Sequence, residues 1–253
     1  MAQKKRLRTW VKVVIVAIPV IAGIVCLIVF GFKLKDIHYT SDLNQFTKEE
    51  VQAYLDANDI NNSFTLWFRD LIGKEKEIDL FEDYDVSFES ITRLKIEAHE
   101  KQFRGYIKND KQFYCFDEDG KLLKIAQEKV KDKPKVIGLT ITNANLYKKI
   151  KVSNPKQFNA VLQVANGVSD YDFVVKKILV DKNCEVSIII RKVRVDLGTT
   201  TNLKKKLSDL NDMSNNLKKY KGTLNMKFVN NEGKYILKRE KKDDKSQNIV
   251  KKQ

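Results

Sequence analysis

Val13–Phe32 reads VVIVAIPVIAGIVCLIVFGF and holds no charged residue. Coiled as a helix, its 20 residues span roughly 30 Å, the thickness of a bilayer's hydrocarbon core. Pro19, Gly23 and Gly31 do not disturb this reading, because membrane helices tolerate such residues. A cleaved leader would have a shorter apolar run and a small-residue cleavage site, whereas Gly31-Phe32-Lys33 follows here. The stretch predicts one membrane-spanning helix over 13–32, with Trp10 at headgroup level.

Its flanks set a direction. Lys4, Lys5, Arg6, Arg8 and Lys12 precede the run without an acid, and Lys33 and Lys35 follow it. The heavier basic flank predicts a cytoplasmic segment over 1–12 and an extracytoplasmic remainder. The chain has 253 residues, with 48 Lys and Arg against 33 Asp and Glu, a net charge of +15. Beyond the five N-terminal charges the remainder carries about +10, which suits anionic lipid or an anionic cell-wall polymer. An apolar content of 42% excludes wholesale disorder. Three cysteines, Cys26, Cys115 and Cys184, exclude a disulfide-stapled scaffold, and two histidines, His38 and His99, argue against a histidine-rich metal site. Cys115 and Cys184 are read as unpaired strand cysteines, although pairing is open.

Outward from the run, Ile37-His38-Tyr39 is a short strand. Thr47 and Glu50 have capping-box spacing, and Phe46 and Val51 stand at the staple positions around them. A helix follows to about Asn58, and a second covers Thr65–Lys74. Ser90–Ala98 alternates, with Leu94, Ile96 and Ala98 on one face. Phe103–Ile107, Gln112–Phe116 and Lys121–Ile125 read as further strands, and Asp117-Glu118-Asp119-Gly120 as a turn with solvated acids. The order is strand, helix, helix, strand, strand.

Farther on, Pro134–Thr142 reads as one strand. Asn154 and Pro155 open a helix as cap and first residue, and Asn166-Gly167 close it through a left-handed cap. Asp172–Val180 and Cys184–Arg191 form a hairpin around Asp181-Lys182-Asn183, and Lys192–Leu197 extends the sheet. Leu203, Leu207, Leu210, Met213 and Leu217 line one face of a helix. A last hairpin joins Leu224, Met226 and Phe228 to Tyr235 and Leu237. The tail 239–253 is charged and almost free of apolar residues, the composition of a disordered end. The predicted class is α+β: a membrane helix, a small helix-on-sheet module over 33–103, and a mixed sheet domain over 104–238.

In this order the chain resembles the FtsQ/DivIB family of bitopic bacterial cell-division proteins. Phe46–Val51 resembles the start of the first helix of that family's POTRA module, whose order is β-α-α-β-β. Tyr114–Leu123 resembles its "y-x-I-D-x-x-G-x-v-l" segment, and Pro134–Leu139 its "P-x-i-x-G" strand. Val195–Gly198, Lys204–Leu217 and Gly222–Met226 resemble its "lG…K-l-x-x-l…iDlr" end. The resemblance covers about 1–238. It departs where Thr40-Ser41-Asp42 lacks the usual glycine and where Asn225 replaces the usual aspartate.

The resemblance implies a non-enzymatic scaffold at the division septum. Its partners would be FtsB/DivIC-like and FtsL-like single-pass proteins, and through them the septal peptidoglycan synthase. The residues suggest how such contact would be made. Lys234, Tyr235, Ile236, Leu237, Lys238 and Arg239 form a last strand whose free edge can receive another chain. The same basic residues would also protect an edge that binds nothing. The chain contains no G-x-S-x-G, G-x-x-x-x-G-K-[ST] or H-E-x-x-H motif, and no catalytic residue, cofactor, metal or nucleic-acid partner is read from it. The alternative is a membrane-anchored extracytoplasmic sensor or ligand-binding module, which would need an enclosed pocket.

Overall fold

The computed structural model describes residues 9–74, 76–228 and 235–239, with 9–12 by backbone alone. Lys4, Lys5, Arg6 and Arg8, residues 229–233 and Lys234 lie outside the described residues, as do those beyond Arg239. The chain divides into two compact units, 1–101 and 102–253.

The first unit opens with α1 (Thr9–Cys26), prolonged by a wider π-helical turn over Leu27–Gly31. Val13–Gly31 is long and apolar enough to cross a membrane, and none of it is buried. Then come β1 (Asp36–Ser41), α2 (Lys48–Ala57), α3 (Ser63–Leu71), β2 (Phe81–Ser90) and β3 (Arg93–Glu100). The strands form a sheet in the order β1-β3-β2, with β1 parallel and β2 antiparallel to the central β3.

Local chemistry fixes these elements. Thr47 Oγ1 accepts the Glu50 N–H, and the Glu50 carboxylate accepts the Thr47 N–H, a reciprocal cap for α2. Phe46 and Val51 are buried beside it. On β3, Leu94, Ile96 and Ala98 are buried while Glu97 and His99 face out. Glu100 is buried too. It stays satisfied by accepting the Tyr39 hydroxyl at 2.6 Å and the Gln45 and Phe46 N–H groups at 2.6 and 3.2 Å.

Two expectations need correction here. The second helix starts at Ser63 rather than Thr65, because Asn62 caps it by accepting the Thr65 N–H at 2.9 Å. The strand pair after the helices is Phe81–Ser90 with Arg93–Glu100, and Phe103–Ile107 belongs to the second unit instead. The strand β2 escapes a period-two reading because a bulge between Phe81 and Asp83 shifts its alternation.

Asn62 has a second role. Its Nδ2 donates to the Ile28 carbonyl at 2.9 Å, and the Ser63 N–H donates to the Phe32 carbonyl at 2.9 Å. The Leu34 N–H donates to Asn61 at 2.7 Å. The end of the apolar helix thus finds partners for carbonyls that a helix terminus leaves open.

The second unit contains β4 (Gly105–Asn109), β5 (Gln112–Phe116), β6 (Leu122–Ala126), β7 (Lys135–Ile137), β8 (Ile141–Asn143), β9 (Lys151–Val152) and α4 (Pro155–Val168). It continues with β10 (Val175–Val180), β11 (Val186–Ile190), β12 (Val193–Gly198), α5 (Leu203–Ser214), a 3-10 turn (Asn216–Lys219), β13 (Gly222–Asn225) and β14 (Ile236–Arg239). Nine strands form one sheet in the order β14-β13-β12-β11-β10-β7-β4-β5-β6. The helices α4 and α5 cover one face, burying Phe158, Val161, Leu207 and Leu210 against Ile107, Val136, Ile178, Ile188 and Val195.

Several sequence expectations shift. Pro134–Thr142 breaks after Ile137, and β8 pairs with β9 in a separate ribbon. Gly138 turns the chain there with φ +104°, and a Cβ on it would sit 2.0 Å from the Val180 carbonyl oxygen. Gly167 lies inside α4, which ends at Val168 with Ser169 as its right-handed cap. Its missing side chain admits Leu207, whose Cδ1 would meet a Cβ there at 2.8 Å. Cys184 sits in the β10–β11 turn at φ +62° instead of on the strand. The three cysteines are free. Asp117 is buried rather than solvated. Its Oδ1 accepts the Asp119 and Lys121 N–H groups at 3.0 and 2.8 Å, so it shapes its own turn.

Candidate partner-binding edge

The predicted edge residues fall on β14. Ile236, Leu237, Lys238 and Arg239 make up the strand, and Tyr235 immediately precedes it. Among the described residues β14 pairs only with β13, in the register Asn225↔Ile236, Leu224↔Leu237, Thr223↔Lys238 and Gly222↔Arg239. It is therefore the terminal strand of the sheet, with its outer backbone groups unmatched by any described strand. The opposite terminus differs. There the Leu122 N–H donates to Lys148 at 3.0 Å and the Leu122 carbonyl accepts the Tyr147 N–H at 2.7 Å, so the edge of β6 is partly covered.

The placement of β14 rests on three contacts that sequence reasoning did not find. Gly222 has φ +149°, and a Cβ on it would lie 2.1 Å from the Lys238 carbonyl oxygen. Only a glycine lets β14 lie this close. At the start of the strand the Tyr235 hydroxyl donates to Asp209 Oδ2 of α5 at 2.7 Å. Burial and the neighbouring Asp209 carboxylate push the phenol up to about 12. At its end the Arg239 guanidinium stacks 4.4 Å from the centre of the Tyr220 ring. The only local signal for these contacts was a glycine opening a strand. Asp209 and Tyr220 lie on other elements and carry no motif.

No family model and no curated protein matches this chain.

The outward chemistry of β14 is mixed. Tyr235 and Leu237 turn inward against the core, while Ile236, Lys238 and Arg239 are exposed. Tyr235, one of the predicted edge residues, has its hydroxyl engaged within its own unit. The exposed apolar side chain is that of Ile236, at 54% exposure. An extended segment adding to this edge would meet backbone donors and acceptors, one aliphatic side chain and two cations. Among the described residues, no three His, Cys, Asp or Glu side chains converge as metal ligands.

Proposed function

We propose that the chain is a bitopic, non-enzymatic division scaffold of the FtsQ/DivIB type. Its N-terminus lies in the cytoplasm, the helix over Val13–Gly31 spans the membrane, and the sheets that follow it lie on the extracytoplasmic side. The edge of β14 receives an extended, acidic segment of an FtsB/DivIC-like partner, with an FtsL-like protein in the same assembly. Through these partners the scaffold acts on the septal peptidoglycan synthase. The open edge of β14 carries this reading. Support also comes from the β-α-α-β-β order that directly follows a single apolar helix, the order that the resemblance to a POTRA module implies.

Strand addition uses main-chain hydrogen bonds for affinity and side-chain complementarity for choice of partner. Exposed Lys238 and Arg239 favour an acidic segment, and Ile236 supplies apolar contact at the start of the strand. A fluorescent fusion is expected to gather at mid-cell in dividing cells, and uniform membrane labelling would defeat the septal assignment. The edge is tested by I236E/K238E, which changes two exposed side chains and presents like charge to an acidic segment. Co-purification of the partner is expected to fall about tenfold or more with the domain still folded. Undiminished co-purification would remove β14 as the site.

A further inference from the structure

The face of the nine-stranded sheet opposite α4 carries a different feature. Across three neighbouring strands Tyr106, Lys135 and Lys177 stand in register. The next row, Ile107, Val136 and Ile178, points the other way into the core. A groove of about 610 Å³ opens beside the Tyr106-Lys135-Lys177 row. Six lysines line it: Lys108 of β4, Lys129 and Lys133 of the β6–β7 loop, Lys135 of β7, and Lys176 and Lys177 of β10. Asp132 is the only carboxylate in its lining.

Among the described residues none of these six ammonium groups forms a salt bridge. The lysines come from four separate segments, so the fold assembles the charge. Lys133 and Lys135 are half-buried, and burial together with the Arg104 guanidinium holds the Lys133 ammonium below the ordinary lysine range. Six converging ammonium groups against the single Asp132 carboxylate leave a net positive site that an anion would relieve. The apolar parts of the lining are Tyr106, Phe113, Val174 and Val175, with Lys108 Nζ 5.7 Å from the centre of the Phe113 ring.

We infer that this groove binds a phosphodiester polymer, with its phosphates on the lysines and its short carbon linkers on Phe113 and the valines. The groove is too large for one inorganic phosphate and falls within the usual size of ligand sites, roughly 300–1,000 Å³. It contains lysine and no arginine. Lysine is a compact point charge that follows the single oxygens of a flexible diester chain, whereas planar carboxylates favour the arginine fork. A concave groove admits a chain and not a flat bilayer. A glycerol phosphate polymer is the class met outside a membrane, and this choice of polymer rests on the extracytoplasmic placement proposed above.

The full chain in non-ionic detergent would be titrated with a fluorescent glycerol phosphate oligomer. Polyglutamate of equal charge, phosphatidylglycerol vesicles and an oligo-dT serve as rival ligands. K133Q/K135Q/K177Q is expected to weaken oligomer binding about tenfold or more and flatten its salt dependence, whereas K204Q/K205Q/K218Q on α5 and the turn after it changes it less than about twofold. A melting curve checks the fold, and K108Q/K176Q repeats the test at two exposed lysines if the triple variant fails to fold. Equal weakening by both triple variants, or tighter binding of any rival ligand, would overturn the assignment. Partner co-purification and mid-cell gathering are read separately, so failure of the groove and failure of the scaffold reading are distinct results.

Discussion

The Tyr235 hydroxyl and the Asp209 carboxylate, 26 residues apart in sequence, meet at 2.7 Å and tie the last strand to α5. Partner capture by an edge strand requires that the strand itself be held, since a strand that peels away presents no fixed ladder. Tyr235→Phe keeps the ring and removes this bond, so it isolates the tie. Its loss is expected to cost about 1 kcal/mol, which speeds amide exchange in Ile236–Arg239 about fivefold. The raised phenol sets the sign with pH. The bond contributes fully below the ordinary phenol range near ~10 and is lost as pH rises through about 12. Unchanged exchange in Tyr235→Phe would mean that the bond does not hold β14.

Gly222→Ala tests the same strand from its neighbour. A methyl group there collides with the Lys238 carbonyl, and φ +149° is itself unfavourable for alanine. The expected cost is about 2–3 kcal/mol. In urea unfolding the midpoint should drop, with a smaller m-value because β14 no longer buries surface. A wild-type midpoint would show that the strand adapts.

His99 supplies a pH probe in the first unit. Its Nδ1 lies 3.3 Å from Asp42 Oδ2 and its Nε2 lies 3.9 Å from Asp83 Oδ1, and the Asp42 carboxylate raises its pKa above the ordinary histidine value. A raised folded value means a contribution present below the unfolded pKa and lost as pH rises through the folded one. An NMR titration of the ring protons should show a midpoint above that of a free histidine, and Asp42→Asn should move it down. No movement in Asp42→Asn would assign the shift to another group.

Much of this architecture was legible where one local rule decides an element. The uncharged run at Val13–Phe32, the Thr47–Glu50 capping box, the Asn154-Pro155 start and the Leu203–Leu217 spacing are complete within a few residues of sequence. Misreadings came where distant residues decide. The bulge in β2 hides Phe81, Tyr84 and Val86 among Glu82, Asp83 and Asp85. Gly167 looks like a helix stop until Leu207 packs on it. Asp117 looks like a solvated turn acid until its carboxylate folds back onto two N–H groups. The edge strand was visible as a final alternating segment, but its fasteners Asp209, Tyr220 and Gly222 were not. The lysine groove was invisible for the same reason, since its charges are spread from Lys108 to Lys177 and meet only when β4, β7 and β10 align.

The bonds from Asn62 and Ser63 to the Ile28 and Phe32 carbonyls, with that from Leu34 to Asn61, tie the end of the apolar helix to the residues that open α3. A bilayer that thins or thickens changes the tilt of an apolar helix crossing it. In a chain that spans the bilayer as proposed above, a change of helix tilt would load these three hydrogen bonds first.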